Sequence, residues 1–282
     1  MNKKALLYGL VALGAVANVA YLSGKPSPVA ANVAVAAEVA LPQGEAGMTE
    51  ARVREIVREE IVKNPKAIID ALNGYMQEQQ ASEAKAADDQ AVSRKADIAK
   101  TEKLPFYGNP DGAIEMVYFF DVNCGYCKRL DPSMRRIVAE NPDVKVSLRE
   151  IPILARTSHL AALLEGLVWK QSPKAYLGFH DSLMGFQGQL TQDDVEAKLK
   201  AAVGDEDAER LLKAVDDLDN DLDARDVNNQ VQENLALAKL AGITGTPFVY
   251  VLQGDGLLRG AGADAYEQLN GLLAKARATI KQ

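Results

Sequence analysis

Cysteine and histidine are almost missing from this 282-residue chain, which has two of each. Two cysteines exclude the multi-disulfide framework that holds small secreted domains together. His159 and His180 leave too few donors for a zinc cage, so no metal and no other cofactor is expected. Positive charge is also short: 32 Lys and Arg stand against 39 Asp and Glu, for a net charge of −7. A nucleic-acid binder needs a basic face, so nucleic acid is excluded as a partner. With 48% hydrophobic and 25% charged residues, the composition is neither disordered nor collagen-like. The length admits one large or two modest domains. What is present is a single pair of cysteines, Cys124 and Cys127, held three apart.

The chain opens Met1-Asn2-Lys3-Lys4 and then runs without charge from Ala5 to Leu22. A basic start followed by an apolar run has the form of a secretory signal, with small-residue cleavage sites at Ala15-Val16-Ala17 within the run and at Val29-Ala30-Ala31 and Val35-Ala36-Ala37 behind it. The run also reaches the lower limit for spanning a bilayer, so residues 1–22 read as a signal peptide or a membrane anchor. Either places the body in the periplasm or another extracytoplasmic space, where thiols can exchange with disulfides.

Residues 23–47, rich in Pro, Ala, Val and Gly, read as a flexible tether. Residues 48–76 read as a helical oligomerisation segment. Val53, Ile56, Val57, Ile61 and Val62 recur at helical spacing, Asn64-Pro65 punctuates, and Ile68, Ile69, Leu72, Tyr75 and Met76 form a second stripe. Two such helices cannot bury their stripes alone. Residues 77–104, nearly free of large apolar side chains, read as a solvated helical or flexible linker. Residues 105–282 read as the main body, starting near Phe106. In it the spacing predicts a strand over 113–120, a helix over 128–140, a strand over 144–151, a helical insertion over about 157–240, two strands and a final helix over 263–280. Strand, helix, strand is a βαβ unit, so the fold class is α/β.

Cys124-Gly125-Tyr126-Cys127 sits where the first strand meets its helix. There Cys124 lies at a helix N-terminus, whose free amides and dipole stabilise a thiolate, and Cys127 is one turn away. That geometry makes a nucleophile and a resolving thiol. A lone structural disulfide or half of a zinc site are the other readings of the pair.

The stretch Tyr118 to Lys128 resembles the active-site segment of thioredoxin-fold proteins of the DsbA family, and Gly242-Ile243-Thr244-Gly245-Thr246-Pro247-Phe248 resembles the loop carrying that family's cis-proline. The resemblance covers about residues 106–282. It implies a thioredoxin fold, with catalytic Cys124 and Cys127 and with Thr246 and Pro247 facing the substrate backbone. The separation of 120 positions from Cys127 to Pro247 exceeds plain thioredoxin and fits an inserted helical domain. Gly125 and Tyr126 between the cysteines, with Thr246 before the proline, resemble the disulfide isomerases of the family. The amino-terminal helices are similar to the stalk of the ScsC group, whose members form trimers. The implied function is an exported disulfide isomerase acting on cysteine-containing envelope proteins, as a homotrimer, with a membrane redox partner. Alternatives are a net dithiol oxidase of the same fold and a non-catalytic envelope oligomer with one structural disulfide.

One departure from the family pattern matters. Tyr118 occupies the position, six before Cys124, where many thioredoxin-fold enzymes carry a buried acid. Proton transfer then falls to water, Tyr118, Asp121 or Glu150. Elsewhere, residues 193–226 hold thirteen acids against five bases, but neither register from Asp217 or Asp219 supplies the Gly and Glu of a calcium loop. That stretch reads as a solvated acidic face. Trp169, Phe179 and Phe186 suit the core of the insertion, and His159 and His180 read as surface or capping residues.

Overall fold

Thr49 caps the first helix: its Oγ1 accepts the Arg52 N–H at 3.3 Å. The computed structural model of the chain describes residues 49–253, 256–260 and 266–280; the expected leader and tether lie outside the described residues. The chain divides into two units, Met1–Ala71 and Leu72–Gln282.

In the first unit, α1 spans Glu50–Lys63 and buries no residue. Glu50–Arg54 and Glu59–Lys63 pairs one turn apart line its polar side. Val53, Ile56, Val57, Ile61 and Val62 are exposed, as are Ile68 and Ile69 beyond the break. Pro65 takes the first position of α2, as expected, but the Asn64 side chain turns back and donates to Glu60 Oε2 instead of capping α2.

The second helix does not stop near Met76. α2 is continuous over Pro65–Ser93, because Ala, Gln, Glu and Lys carry helix propensity without needing a buried face. Its last turns and the segment from Arg94 to Leu104 are anchored in the core, which corrects the reading of 77–104 as solvated linker throughout. Ala91, Ile98, Thr101 and Leu104 are buried, Ile98 on the short helix α3, Lys95–Ile98. Arg149, itself buried, donates to the carbonyls of Ile98 and Lys100 and to Asn234 Oδ1. The packed core therefore reaches back to Ala91, upstream of the start near Phe106 expected from the sequence.

Five strands form one sheet in the order β1-β3-β2-β4-β5: β1 Phe106–Gly108, β2 Ile114–Phe120, β3 Val144–Glu150, β4 Phe248–Gln253 and β5 Gly256–Gly260. β2 and β3 pair in parallel, the other neighbours antiparallel. Alternation along β2 sends Met116, Tyr118 and Phe120 into one core and Val117 and Phe119 into another. The first core packs Leu130, Met134 and Ile137 of α4, Gly125–Glu140, and Leu269 and Leu273 of the carboxy-terminal helix, Tyr266–Ile280. The second packs Ala91, Ile98, Leu237 and Ala238. With both faces covered, β2 reads as an unbroken apolar run.

The insertion is five helices: α5 Arg156–Gln171, α6 Pro173–Met184, α7 Gln192–Val203, α8 Asp205–Asp216 and α9 Leu222–Leu240; the carboxy-terminal helix is α10. Pro173 opens α6 behind the Ser172 cap, and Gly204, with φ +86°, separates α7 from α8. The acidic Asp217–Asp223 run resolves into a turn whose Asp221 side chain caps α9. α9 ends at Gly242, φ +71°, where the Ile243 and Gly242 amides reach back to the Ala238 and Lys239 carbonyls. Its positive φ is what this turn asks of glycine; a Cβ there would meet only the movable end of the Gln90 side chain at 2.8 Å and Ala87 at 3.2 Å. The thioredoxin fold with a helical insertion is present as expected.

Candidate active site

β2 delivers the chain to the site through residues that fix the loop. Asp121 is buried and accepts four hydrogen bonds: from the amides of Asn123, Ile153 and Leu154 and from Ser158 Oγ. Asn123 donates to Thr157 Oγ1 and Ser158 Oγ and accepts from the Leu190 amide at 2.7 Å. The loop before the cysteines is thus laced to both ends of the β3–α5 connection and to the start of α7. Sequence reading missed Asn123 and Ser158; the polar Asp-Val-Asn run ahead of the cysteine was the available signal.

Cys124 is the N-cap of α4, and its Sγ accepts the Cys127 amide at 3.4 Å. The Thr246 carbonyl oxygen is 3.2 Å from the same sulfur and accepts from the thiol when it is protonated. The Thr246–Pro247 bond is cis, so the two expected loop residues stand against the expected nucleophile. The Cys124 thiol is lowered to about 5, chiefly by a hydrogen bond from the Cys127 side chain, then by one from the Thr246 side chain and by the Cys127 and Tyr126 amides, against the opposing effect of burial. Burial, with the charge of Cys124 behind it, pushes the Cys127 thiol far up. One sulfur is poised as a thiolate and the other as a thiol.

Gly125 and Tyr126 face outward. A Cβ at Gly125 would meet nothing, and the Tyr126 ring is 59% exposed with the Arg129 guanidinium 4.3 Å from its centre. Lys128 Nζ donates to the Gly188 carbonyl and lies over the Phe186 ring, joining α4 to the insertion.

The candidate acids separate clearly. Tyr118 is fully buried and its hydroxyl donates to the Cys127 carbonyl at 3.3 Å; burial pushes it well above its ordinary value, so it stays protonated and acts as a donor. Asp121 has its oxygens committed to the four donors above. Glu150 lies at the end of β3, facing Glu165 of α5. Neither carboxyl, Asp121 or Glu150, takes the place of the missing acid beside the sulfurs.

His180 is neither surface nor cap. It is fully buried on α6, with Nδ1 2.7 Å from Glu165 Oε1 and Nε2 3.6 Å from Asp131 Oδ1, stacked on Tyr176. Burial alone would lower it, but the Glu165 and Asp131 carboxylates reverse this and raise it to about 9. The spacing that hides such a residue is tertiary: Asp131 sits on α4 and Glu165 on α5. His159 is half-buried in the first turns of α5. Trp169 and Phe186 pack at the edge of the core and Phe179 within it.

A family model, that of the DSBA-like thioredoxin domain, matches residues 115–274. The chain belongs to this family. Thiol-disulfide oxidoreductase activity of the DsbA and ScsC type goes with that membership. Among solved structures the chain is similar to ScsC of Proteus mirabilis in a transitional conformation, at 29% identity, covering 81% of this chain and 97% of that one with a TM-score of 0.56. It is also similar to a periplasmic thioredoxin-like protein of Salmonella enterica serovar Typhimurium, at 28% identity, covering 65% and 95%, TM-score 0.52. Among curated proteins it is 28% identical over 151 residues to disulfide bond formation protein D of Bacillus subtilis, covering 52% of this chain and 67% of that protein.

Proposed function

We propose that this chain is an exported disulfide isomerase working as an oligomer, most simply a trimer, on cysteine-containing envelope proteins. The observation that carries the reading is the pairing of a stabilised Cys124 with a buried, protonated Cys127 beside the cis Thr246–Pro247 bond. The Cys124 thiolate attacks a substrate disulfide: a Cys124–substrate bond forms, the substrate bond breaks, and the leaving sulfur departs as thiolate. If a substrate thiolate then attacks the mixed disulfide, a new substrate disulfide forms and Cys124 returns as thiolate with no net oxidation. If Cys127 loses its proton and attacks instead, the substrate leaves reduced and Cys124–Cys127 becomes the disulfide. A membrane redox partner supplies the two electrons that restore the dithiol. Thr246 and Pro247 offer backbone to the substrate, with Gly125 and Tyr126 on the open face.

Catalysis on misfolded chains benefits from several thiolates around one substrate, since tethering raises their effective concentration. The exposed stripe of residues 48–76 supports an interface between copies. The leader similarity to a secretory signal and the periplasmic relative support export; the tether 23–47 and any retained anchor would hold the assembly at the membrane.

The test uses the full mature chain. Ile56→Glu with Ile61→Glu should turn the oligomer into a monomer by light scattering. It should lose at least about tenfold of scrambled-substrate refolding while keeping dithiol oxidation, the loss of effective concentration being worth ~10²–10⁴ in comparable systems. Cys127→Ser should trap mixed disulfides. A wild-type monomer, or a double variant that refolds the scrambled substrate as well as the parent, defeats the isomerase reading and leaves a net oxidase.

A further inference from the structure

Away from the cysteines, β3, α5 and α9 enclose a cavity of about 570 Å³. Pockets of ~300–1,000 Å³ take organic molecules of moderate size, so one or two waters do not fill it. Its walls are apolar and aromatic: Phe120, Leu148, Trp169, Tyr176, Val227 and Val231. Two acids line it as well, Glu150 at 7% exposure and Glu165 at 2%. Glu165 Oε1 is held by His180; Glu165 Oε2 and Glu150 Oε1 find no donor on any other residue, and the two carboxyls share a hydrogen bond through the proton held on Glu150.

We propose that this cavity binds a small organic cation, an amine whose ammonium group meets the Glu150 and Glu165 carboxyls and whose apolar body fills the space between Phe120, Trp169 and Tyr176. Two adjacent buried carboxyls that share one proton cannot both ionise, and an ammonium between them brings donors to both and takes the place of that proton. Aromatic faces around it favour a cation over a neutral group of the same shape. The remaining polar lining asks for nothing: Asn234 accepts from Arg149 and Gln230 and donates to the Glu150 carbonyl. At the rim, Lys170 and Lys103 are already paired with Asp226, so entry favours neither sign of charge. An anion would meet two acids and no free donor. Burial, and then repulsion from Glu165, hold the Glu150 carboxyl well above its ordinary range, and a cation between the two relieves that repulsion. None of this depends on the reaction at Cys124.

Trp169 is the chain's only tryptophan and lies in the wall, which makes its emission a direct readout. The probes are phenylbutylamine, phenylbutanol and phenylbutyrate, matched in shape and differing in charge, titrated into the full-length protein. The amine is expected to bind at least about tenfold tighter than the alcohol, and the carboxylate not to bind below ~1 mM. Glu150→Gln should bring the amine to the affinity of the alcohol, and Ala162→Phe, which fills the cavity, should abolish both. Equal binding of amine and alcohol in the parent protein, tighter binding of the carboxylate, or no change in Trp169 emission with any probe overturns the proposal. The wild-type comparison needs neither variant to fold.

Discussion

At Cys124 the decisive contest is between burial, which favours the thiol, and the donors around the sulfur, which favour the thiolate; the donors win. Thr246→Val removes one of them. A hydrogen bond to a charged group contributes ~1.5 kcal/mol and one pH unit corresponds to about 1.36 kcal/mol, so the Cys124 midpoint should rise by about one pH unit, read by thiolate ultraviolet absorbance. The same lowering has a stability consequence. The folded value, about 5, lies below the ordinary 9.0, so the unfolded chain holds the proton more tightly. The reduced protein's stability advantage over Cys124→Ala should be full above pH 9.0, shrink as pH falls, and vanish below about 5. Denaturant titrations of both forms across that range check it; an advantage that grows toward acid contradicts the thiolate. Cys124, Cys127, Thr246 and Pro247 were legible because each lies in a short motif. Asp121, Asn123 and His180 were not, because the partners that give them meaning stand 15 to 67 residues away in sequence.

The elements show the same division between local and distant causes. β2, α4 and β3 were readable to within a few residues, since periodicity and a Pro-containing turn mark them. β1 was missed, because three residues carry no period and only its pairing with β3 makes it a strand. The end of the linker was misread for a related reason. Ala91 and Ile98 look like isolated apolar residues in a polar stretch until Phe119, Ile151 and Tyr250 cover them. Ile98→Ala should therefore cost ~2–5 kcal/mol in chemical denaturation, the range for a truncated buried isoleucine, and expose residues 94–104 to limited proteolysis. A change under ~0.5 kcal/mol would return this segment to the solvated linker its composition suggests.

For the molecule as a whole, the catalytic body was visible in the sequence, and its amino-terminal boundary was not. The body reaches back into α2, so a truncation at Lys103 would remove part of a core instead of a spacer. A single helix then carries Leu72, Tyr75 and Met76 at one end and buried Ala91 near the other. Such a helix is a phase-locked shaft. Each residue added between Gln77 and Ala86 advances it by about 1.5 Å and turns the apolar face by roughly 100°. Seven added residues make nearly two whole turns and bring the face back to within about 20°. Scrambled-substrate refolding should accordingly fall with one inserted alanine and recover with seven, although the second variant is longer. A series that declines steadily with length would show reach, not phase, to be what the stalk transmits.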